Sequence, residues 1–222
     1  MTTKEIFNYF DKIGSLTFST INGEYPESRI AHFGAYDEEG LYFMTMHTKP
    51  FYKQLKATGK LSACGLCADS KIEETEDGNL IFDDGYFARI TGDVKEISIE
   101  EIKRKNNPIF DYCIKDNERY PAMVVFCLYR GRGEIFDYDF EKIKRPHKLE
   151  RLRFSFGGME IENPGLTIDR DKCIACGKCE SVCSFSAIFK KDGKFEIMGE
   201  RCDECGSCYL VCPAQAINSK GR

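Results

Sequence analysis

The sequence predicts a mainly β chain with added helices, an α+β fold. A barrel of about six strands with flanking helices comes first, and a small duplicated cysteine-rich domain follows. Three observations carry this expectation. Between residues 15 and 138, β-branched and aromatic runs alternate with turn signals, foremost Asn22-Gly23. The stretch CIACGKCESVC (173–183) recurs 29 residues later as CDECGSCYLVC (202–212). Between these regions, residues 140–164 are basic and broken by Pro146, Gly157-Gly158 and Asn163-Pro164.

The elements follow in order. Residues 2–13 form a helix: Thr2 and Glu5 have capping-box spacing, Ile6, Phe7, Phe10 and Ile13 share a face, and Gly14 ends it. Asn22-Gly23 then closes a hairpin within SLTFSTINGEYPESRIAHFGAY, and a second turn at 37–40 leads into a strand over 41–46. HTKPFYKQLKATG reads as a short helix with Pro50 in its first turn and Gly59 at its end.

A strand over 60–68, a polar loop over 69–79 and a strand over 86–97 come next. Ser98 and Glu101 open a helix running towards Asn106, and a second short helix follows Pro108. MVVFCLYRGRGEIFDY (123–138) is one long strand or two, interrupted at Gly131-Arg132-Gly133. Closing such a meander into a barrel removes its edges. The chain therefore divides into residues 1–140, a basic connector over 141–164 read as a solvated segment, and a small domain over 165–222.

Eight of the twelve cysteines lie in the two repeats. The spacing C-x2-C-x2-C-x3-C is that of iron–sulfur ligation: three cysteines wrap one corner of a cubane, and the fourth serves the other cluster. This assigns Cys173, Cys176, Cys179 and Cys212 to one [4Fe–4S] cluster and Cys202, Cys205, Cys208 and Cys183 to a second. Gly177 and Gly206 permit close backbone approach. CSFSAIF answers CPAQAIN, and the duplicated segment has the length of a two-cluster ferredoxin. Ser184 stands where the second repeat has Pro213, which loosens a turn and removes no ligand. Zinc fits poorly, since it takes paired C-x2-C units with four ligands per ion. Of the remaining cysteines, Cys64 and Cys67 fall on opposite faces of a strand and are read, like Cys113 and Cys127, as buried structural thiols.

The 222 residues carry a net charge of -4, which speaks against a nucleic-acid partner. No apolar run is long enough to span a membrane, and the N-terminus has no signal-like apolar core. Clusters need reduced thiolates, so a reducing, cytoplasmic compartment and an anaerobic cell are expected.

Thr45 and Thr48 stand between a strand end and a helix start, with Lys49 at that start. Free N–H groups and the helix dipole make an anion site there, to which Lys49 and Arg29 add charge. LTFSTINGEYPESRI and GLYFMTMHTKPFYKQLKATGKLSAC resemble the pyridoxamine 5′-phosphate oxidase-like family of FMN-binding split barrels, in particular its nitroimidazole-resistance-like members. The resemblance covers nearly all of residues 1–140. It implies FMN at the interface of a homodimer, with Arg29 and Lys49 on the phosphate, Lys53 one turn further, and Thr45 at phosphate or ring. His32, Phe33 and Gly34 would lie on a strand bordering the isoalloxazine. Relatives of the fold bind haem or a deazaflavin instead.

No catalytic acid or base stands out, and His32 is the weak candidate. The joined reading is an FMN-dependent oxidoreductase in which the clusters exchange single electrons with a flavin that reduces a small organic substrate. The competing reading is an electron-transfer module between protein partners, with no small-molecule substrate.

Overall fold

The computed structural model describes residues 1–67, 72–74, 76–78, 80–82, 85–137, 151–161 and 166–219. Of the basic connector, residues 141–150 and 162–164 lie outside the described residues.

The first part runs α1 (Thr3–Ile13), β1 (Leu16–Asn22), β2 (Tyr25–Ala31), β3 (Ala35–Asp37), β4 (Gly40–Met46), α2 (Pro50–Thr58), β5 (Lys60–Cys67), β6 (Ile72–Glu74), β7 (Leu80–Phe82), β8 (Tyr86–Ile97), α3 (Ile99–Arg104), α4 (Asp111–Arg119), β9 (Met123–Asp137) and β10 (Leu152–Phe156). The helix ends follow their residue chemistry. Thr2 and Glu5 form the reciprocal capping box, Gly59 ends α2 in the left-handed region, and Ser98 caps α3 through the Glu101 N–H. A short 3-10 turn, Pro108–Phe110, leads into α4.

Eight strands form one antiparallel sheet in the order β2-β1-β5-β8-β9-β4-β3, with β10 added on β9. The sheet curls. Phe18 of β1 and Phe43 of β4 stand far apart along it, yet their rings meet at 5.2 Å. The enclosed core is aromatic: Phe10, Phe18, Phe33, Phe43, Phe126 and Phe154 are all buried, and α1 packs Ile6, Phe7 and Phe10 onto it.

A second core explains why β9 does not alternate. Its Phe126 and Leu128 face the barrel, while Val125 and Cys127 pack with Tyr42, Ile97, Ile102, Phe110 and Cys113 beneath α3 and α4. A strand covered on both faces reads as an unbroken apolar run.

Three expectations change. The loop over 69–79 contains β6, paired with β7 as a small hairpin. Gly131 and Gly133 do not interrupt β9. A Cβ at Gly133 would strike the Phe154 ring of β10, and one at Gly131 would crowd the ring of Phe156. And part of the connector is a barrel strand: Leu152–Phe156 pairs with residues 131–135 of β9.

The second part runs β11 (Leu166–Ile168), α5 (Lys178–Ser181), β12 (Ile188–Lys191), β13 (Lys194–Ile197), α6 (Ser207–Val211) and β14 (Ile217–Ser219). β11 pairs with β14 and β12 with β13. No helix among the described residues is long and apolar enough to cross a membrane.

Candidate cluster centre and barrel site

The duplication is written in the backbone. Ala175 and Glu204 have φ of 56° and 58°, Gly177 and Gly206 have 79° each, and Ser186 and Gln215 have 50° and 48°. Every pair is 29 residues apart. Both glycines cap the short helix that carries the third cysteine of their group. The fourth cysteines match as well: the Ala187 N–H points at Cys183 Sγ and the Ala216 N–H at Cys212 Sγ, both at 3.3 Å. Ala175 and Ser186 in the first half and Glu204 and Gln215 in the second thus hold left-handed backbone at equivalent positions, a costly conformation for residues other than glycine.

Cys212 lines one cavity with Cys173, Cys176 and Cys179, floored by Ile168, Phe195 and Ile217. Around the other group, burial first and then the neighbouring Cys202, Cys205 and Cys183 push the Cys208 thiol up to about 11. Burial likewise raises Cys202. Cys173 is lowered, chiefly by the N–H of Phe195. Crowded, partly buried thiols of this kind become stable thiolates when a cation shares the space. Among the described residues no three His, Cys, Asp or Glu side chains converge on a single-ion site. Cys173, Cys176, Cys179 and Cys212 border one cavity, an arrangement in which each thiolate of a multi-iron group would take its own iron.

In the barrel, Arg29 on β2 reaches α2. Its Nη1 donates to Thr20 Oγ1 at 2.6 Å, its Nη2 to Gln54 Oε1 at 2.8 Å, and its guanidinium lies 4.3 Å from the centre of the Phe51 ring. Glu27 closes this network, 3.6 Å from Arg29 and accepting from Gln54 Nε2 at 2.6 Å. Burial lowers Arg29 from its usual value. Thr20, Gln54 and Glu27 escaped the sequence reading, although strand alternation places Thr20 inward beside Phe18.

Thr45 is buried on β4, while Thr48, Lys49 and Lys53 are exposed. Lys49 is the N-cap of α2 and its side chain makes no cap hydrogen bond. Two N–H groups of the turn are already engaged, His47 with the Ala122 carbonyl and Lys49 with that of Met46, both at 2.9 Å. The structure thus ties Arg29 to α2 through Gln54 and Phe51, while Lys49 caps that helix and Lys53 lies on it. His32 is placed differently from expectation: residues 32–34 link β2 to β3 outside any strand, with His32 exposed and Phe33 in the core. The expectation for the spare cysteines also changes at one position. Cys67, Cys113 and Cys127 are buried, but Cys64, on the opposite face of β5 from Cys67, is exposed.

Residues 166–219 match the 4Fe-4S dicluster domain family. No curated protein sequence matches the chain. Among solved structures, a NimC/NimA family protein from Clostridium acetobutylicum aligns with a TM-score of 0.50 at 19% identity, over 69% of this chain and 92% of that one. PhzG from Burkholderia lata 383, solved with tetrahydrophenazine-1-carboxylic acid, aligns with a TM-score of 0.45 at 15% identity, over 71% and 86%. The heme storage protein HutZ from Vibrio cholerae aligns with a TM-score of 0.40 at 15% identity, over 58% and 90%. The chain thus joins a split barrel, similar in fold to NimC/NimA family proteins, to a 4Fe–4S dicluster domain.

Proposed function

We propose that this chain is an FMN-dependent oxidoreductase of a small organic substrate, its eight repeat cysteines holding two [4Fe–4S] clusters and its barrel holding the flavin. The observation that carries this reading is the union in one chain of a duplicated cysteine fold and a split barrel with cations gathered at a helix N-terminus. When bound, these groups supply one-electron exchange at the clusters and one- or two-electron exchange at the flavin.

Cys173, Cys176, Cys179 and Cys212 hold one cluster, and Cys202, Cys205, Cys208 and Cys183 the other. Lys49, Lys53 and Thr48 are exposed where the phosphate would meet the α2 N-terminus. Arg29 is pinned by Thr20 and Gln54, so it contributes positive field and holds the strand to the helix. Exposed Ile21, Tyr25 and Ile30 on the β1–β2 hairpin support a second copy docking on this edge, which would complete the flavin site. Exposed thiol ligands at Cys176 and Cys205 support a reducing, cytoplasmic setting.

The test is anaerobic purification with iron, sulfide and flavin analysis. Near eight irons, eight sulfides and one FMN per chain are expected. Iron without FMN, and no uptake of added FMN, would sink the reductase reading; a Soret band in its place would assign the barrel to haem. Full loading with no turnover of any small oxidant, but rapid exchange with a redox protein, would favour the relay reading.

A further inference from the structure

The two cysteine loops share a backbone but not a sequence: Cys202-Asp203-Glu204-Cys205 stands where the first repeat has Cys173-Ile174-Ala175-Cys176. The acids of the second loop meet the barrel. Arg151 and Arg153, at the start of β10, are only 10% and 13% exposed in their side chains. Arg151 Nη1 lies 3.4 Å from Glu204 Oε1 and 3.4 Å from Glu134 Oε2 of β9, and Nη2 lies 3.8 Å from Asp203 Oδ1. Arg153 stands opposite Glu134 in the β9–β10 register, 3.5 Å from its Oε2 through Nε. Its guanidinium also lies 3.4 Å from Glu204 and donates to the Gly199 carbonyl at 3.1 Å. The Arg151 N–H donates to the Glu200 carbonyl at 2.7 Å. Arg89 adds a third cation on Glu134.

The first loop is placed otherwise. Ile174 is 63% exposed. Among the described residues, the polar contacts around the loop stay within its own domain: Lys194 on the Cys173 carbonyl, Arg170 on Glu196 and the Lys191 carbonyl, Lys172 on Asp169.

We infer that the chain has a built-in order: barrel, then the loop of Cys202, Cys205 and Cys208, then the loop of Cys173, Cys176 and Cys179. Arg151 and Arg153 are the positioning residues that dock the second loop on the barrel through Glu204 and Glu134, and they set the potential of the group that loop holds. The inference rests on the cysteine assignment above and is independent of what fills the barrel. A nearby cation favours the more negative, reduced state of a cluster and raises its potential, whereas a nearby anion lowers it. The charges here are largely desolvated, so their influence is screened less than that of surface charges.

The test is an EPR-monitored redox titration of the anaerobically purified full chain, with iron and sulfide counted in every sample. Arg151→Gln and Arg153→Gln are expected to shift one of the two cluster potentials downward. Glu204→Gln is expected to shift the same signal upward, and Arg151→Lys to stay near the wild type. Lys194→Gln, beside Cys173, is expected to lower the other signal. A loss of packing alone does not reverse sign between Arg153→Gln and Glu204→Gln.

Full iron with unmoved potentials, or arginine and Glu204 variants acting on different signals, overturns this inference alone. Iron-free wild-type protein overturns the cysteine assignment beneath it. A measurement on the wild type covers variants that do not fold. Removing iron with a chelator is expected to loosen residues 199–205, and the Arg151 amide is then expected to lose its hydrogen-exchange protection while the rest of β10 keeps it. An Arg151 amide unprotected in the iron-loaded protein excludes the docking.

Discussion

In the barrel, Phe126 sits 5.7 Å from Phe43 in a near-parallel stack, and one aromatic side chain after another closes the interior. In the cysteine domain, three of the eight core residues buried among those described are cysteines, and four of the remaining five are Leu166, Ile188, Phe195 and Ile217. The first region is held by apolar burial that the polypeptide supplies itself. The second has too little of it for a unit of its size, and its thiols cluster where thiols alone repel once ionised. The comparison teaches that the barrel closes on its own side chains, whereas the proposed clusters would supply what the cysteine domain lacks in apolar core.

Removing the iron is the strongest way to break this comparison. We expect chelation to abolish the cooperative unfolding transition of residues 166–219, because ligand binding free energy is folding free energy in such a unit. The barrel transition should survive. Calorimetry and far-UV circular dichroism of loaded and stripped protein check this, and an unchanged C-terminal transition after iron loss would refute it.

A core truncation in the barrel is the reciprocal experiment. Phe126→Ala is expected to cost about 3–5 kcal/mol of barrel stability by removing a buried ring and leaving a cavity. Denaturant unfolding measures it, and the iron content should stay at the wild-type level.

A smaller effect sharpens the electrostatic side. Asp93, on β8, is held by Lys60 and by Arg130 at 3.0 Å, and its carboxyl is lowered, first by the Lys60 hydrogen bond. A lowered carboxyl stabilises fully above the ordinary aspartate pKa and loses that contribution as pH falls through the lowered value. The barrel should therefore lose up to about 1 kcal/mol below the usual aspartate range, since its partners are solvent-exposed. Asp93→Asn should flatten that part of the stability–pH curve; an unaltered curve would assign acid lability elsewhere.

The mildest probe leaves stability untouched. At pH 8 an alkylating reagent is expected to label Cys64 and spare Cys113 and Cys127, whose thiols burial pushes up to about 11 and 12. Mass spectrometry of the loaded protein reads the labels, and modification of Cys127 before Cys64 would contradict the packing beneath α3 and α4.

Much of this was legible in the chain. The capping box at Thr2 and Glu5, the Asn22-Gly23 hairpin, Gly59 and the full extent of β8 follow from local chemistry, which a few neighbouring residues decide among themselves. The cysteine pattern is local in the same sense: spacing fixes which thiols a loop can present, and residues 166–219 match the 4Fe-4S dicluster domain family. Other features depend on partners distant in sequence. Gly131 and Gly133 looked like a break because nothing near them shows the rings of Phe154 and Phe156 that they admit. Arg151 and Arg153 looked like solvated charge because Glu134 and Glu204 are contributed from either side of the connector.

The sequence by itself thus determined a barrel followed by a dicluster-type cysteine domain and most of their elements, since hydrophobic period, turn residues and cysteine spacing act over a few residues. Only the tertiary structure decided which strand completes the barrel, how Arg29 is tied to Gln54, and which cysteine loop meets the barrel. Those outcomes depend on desolvated charges and packed rings brought together across long stretches of chain, where no local rule assigns a partner.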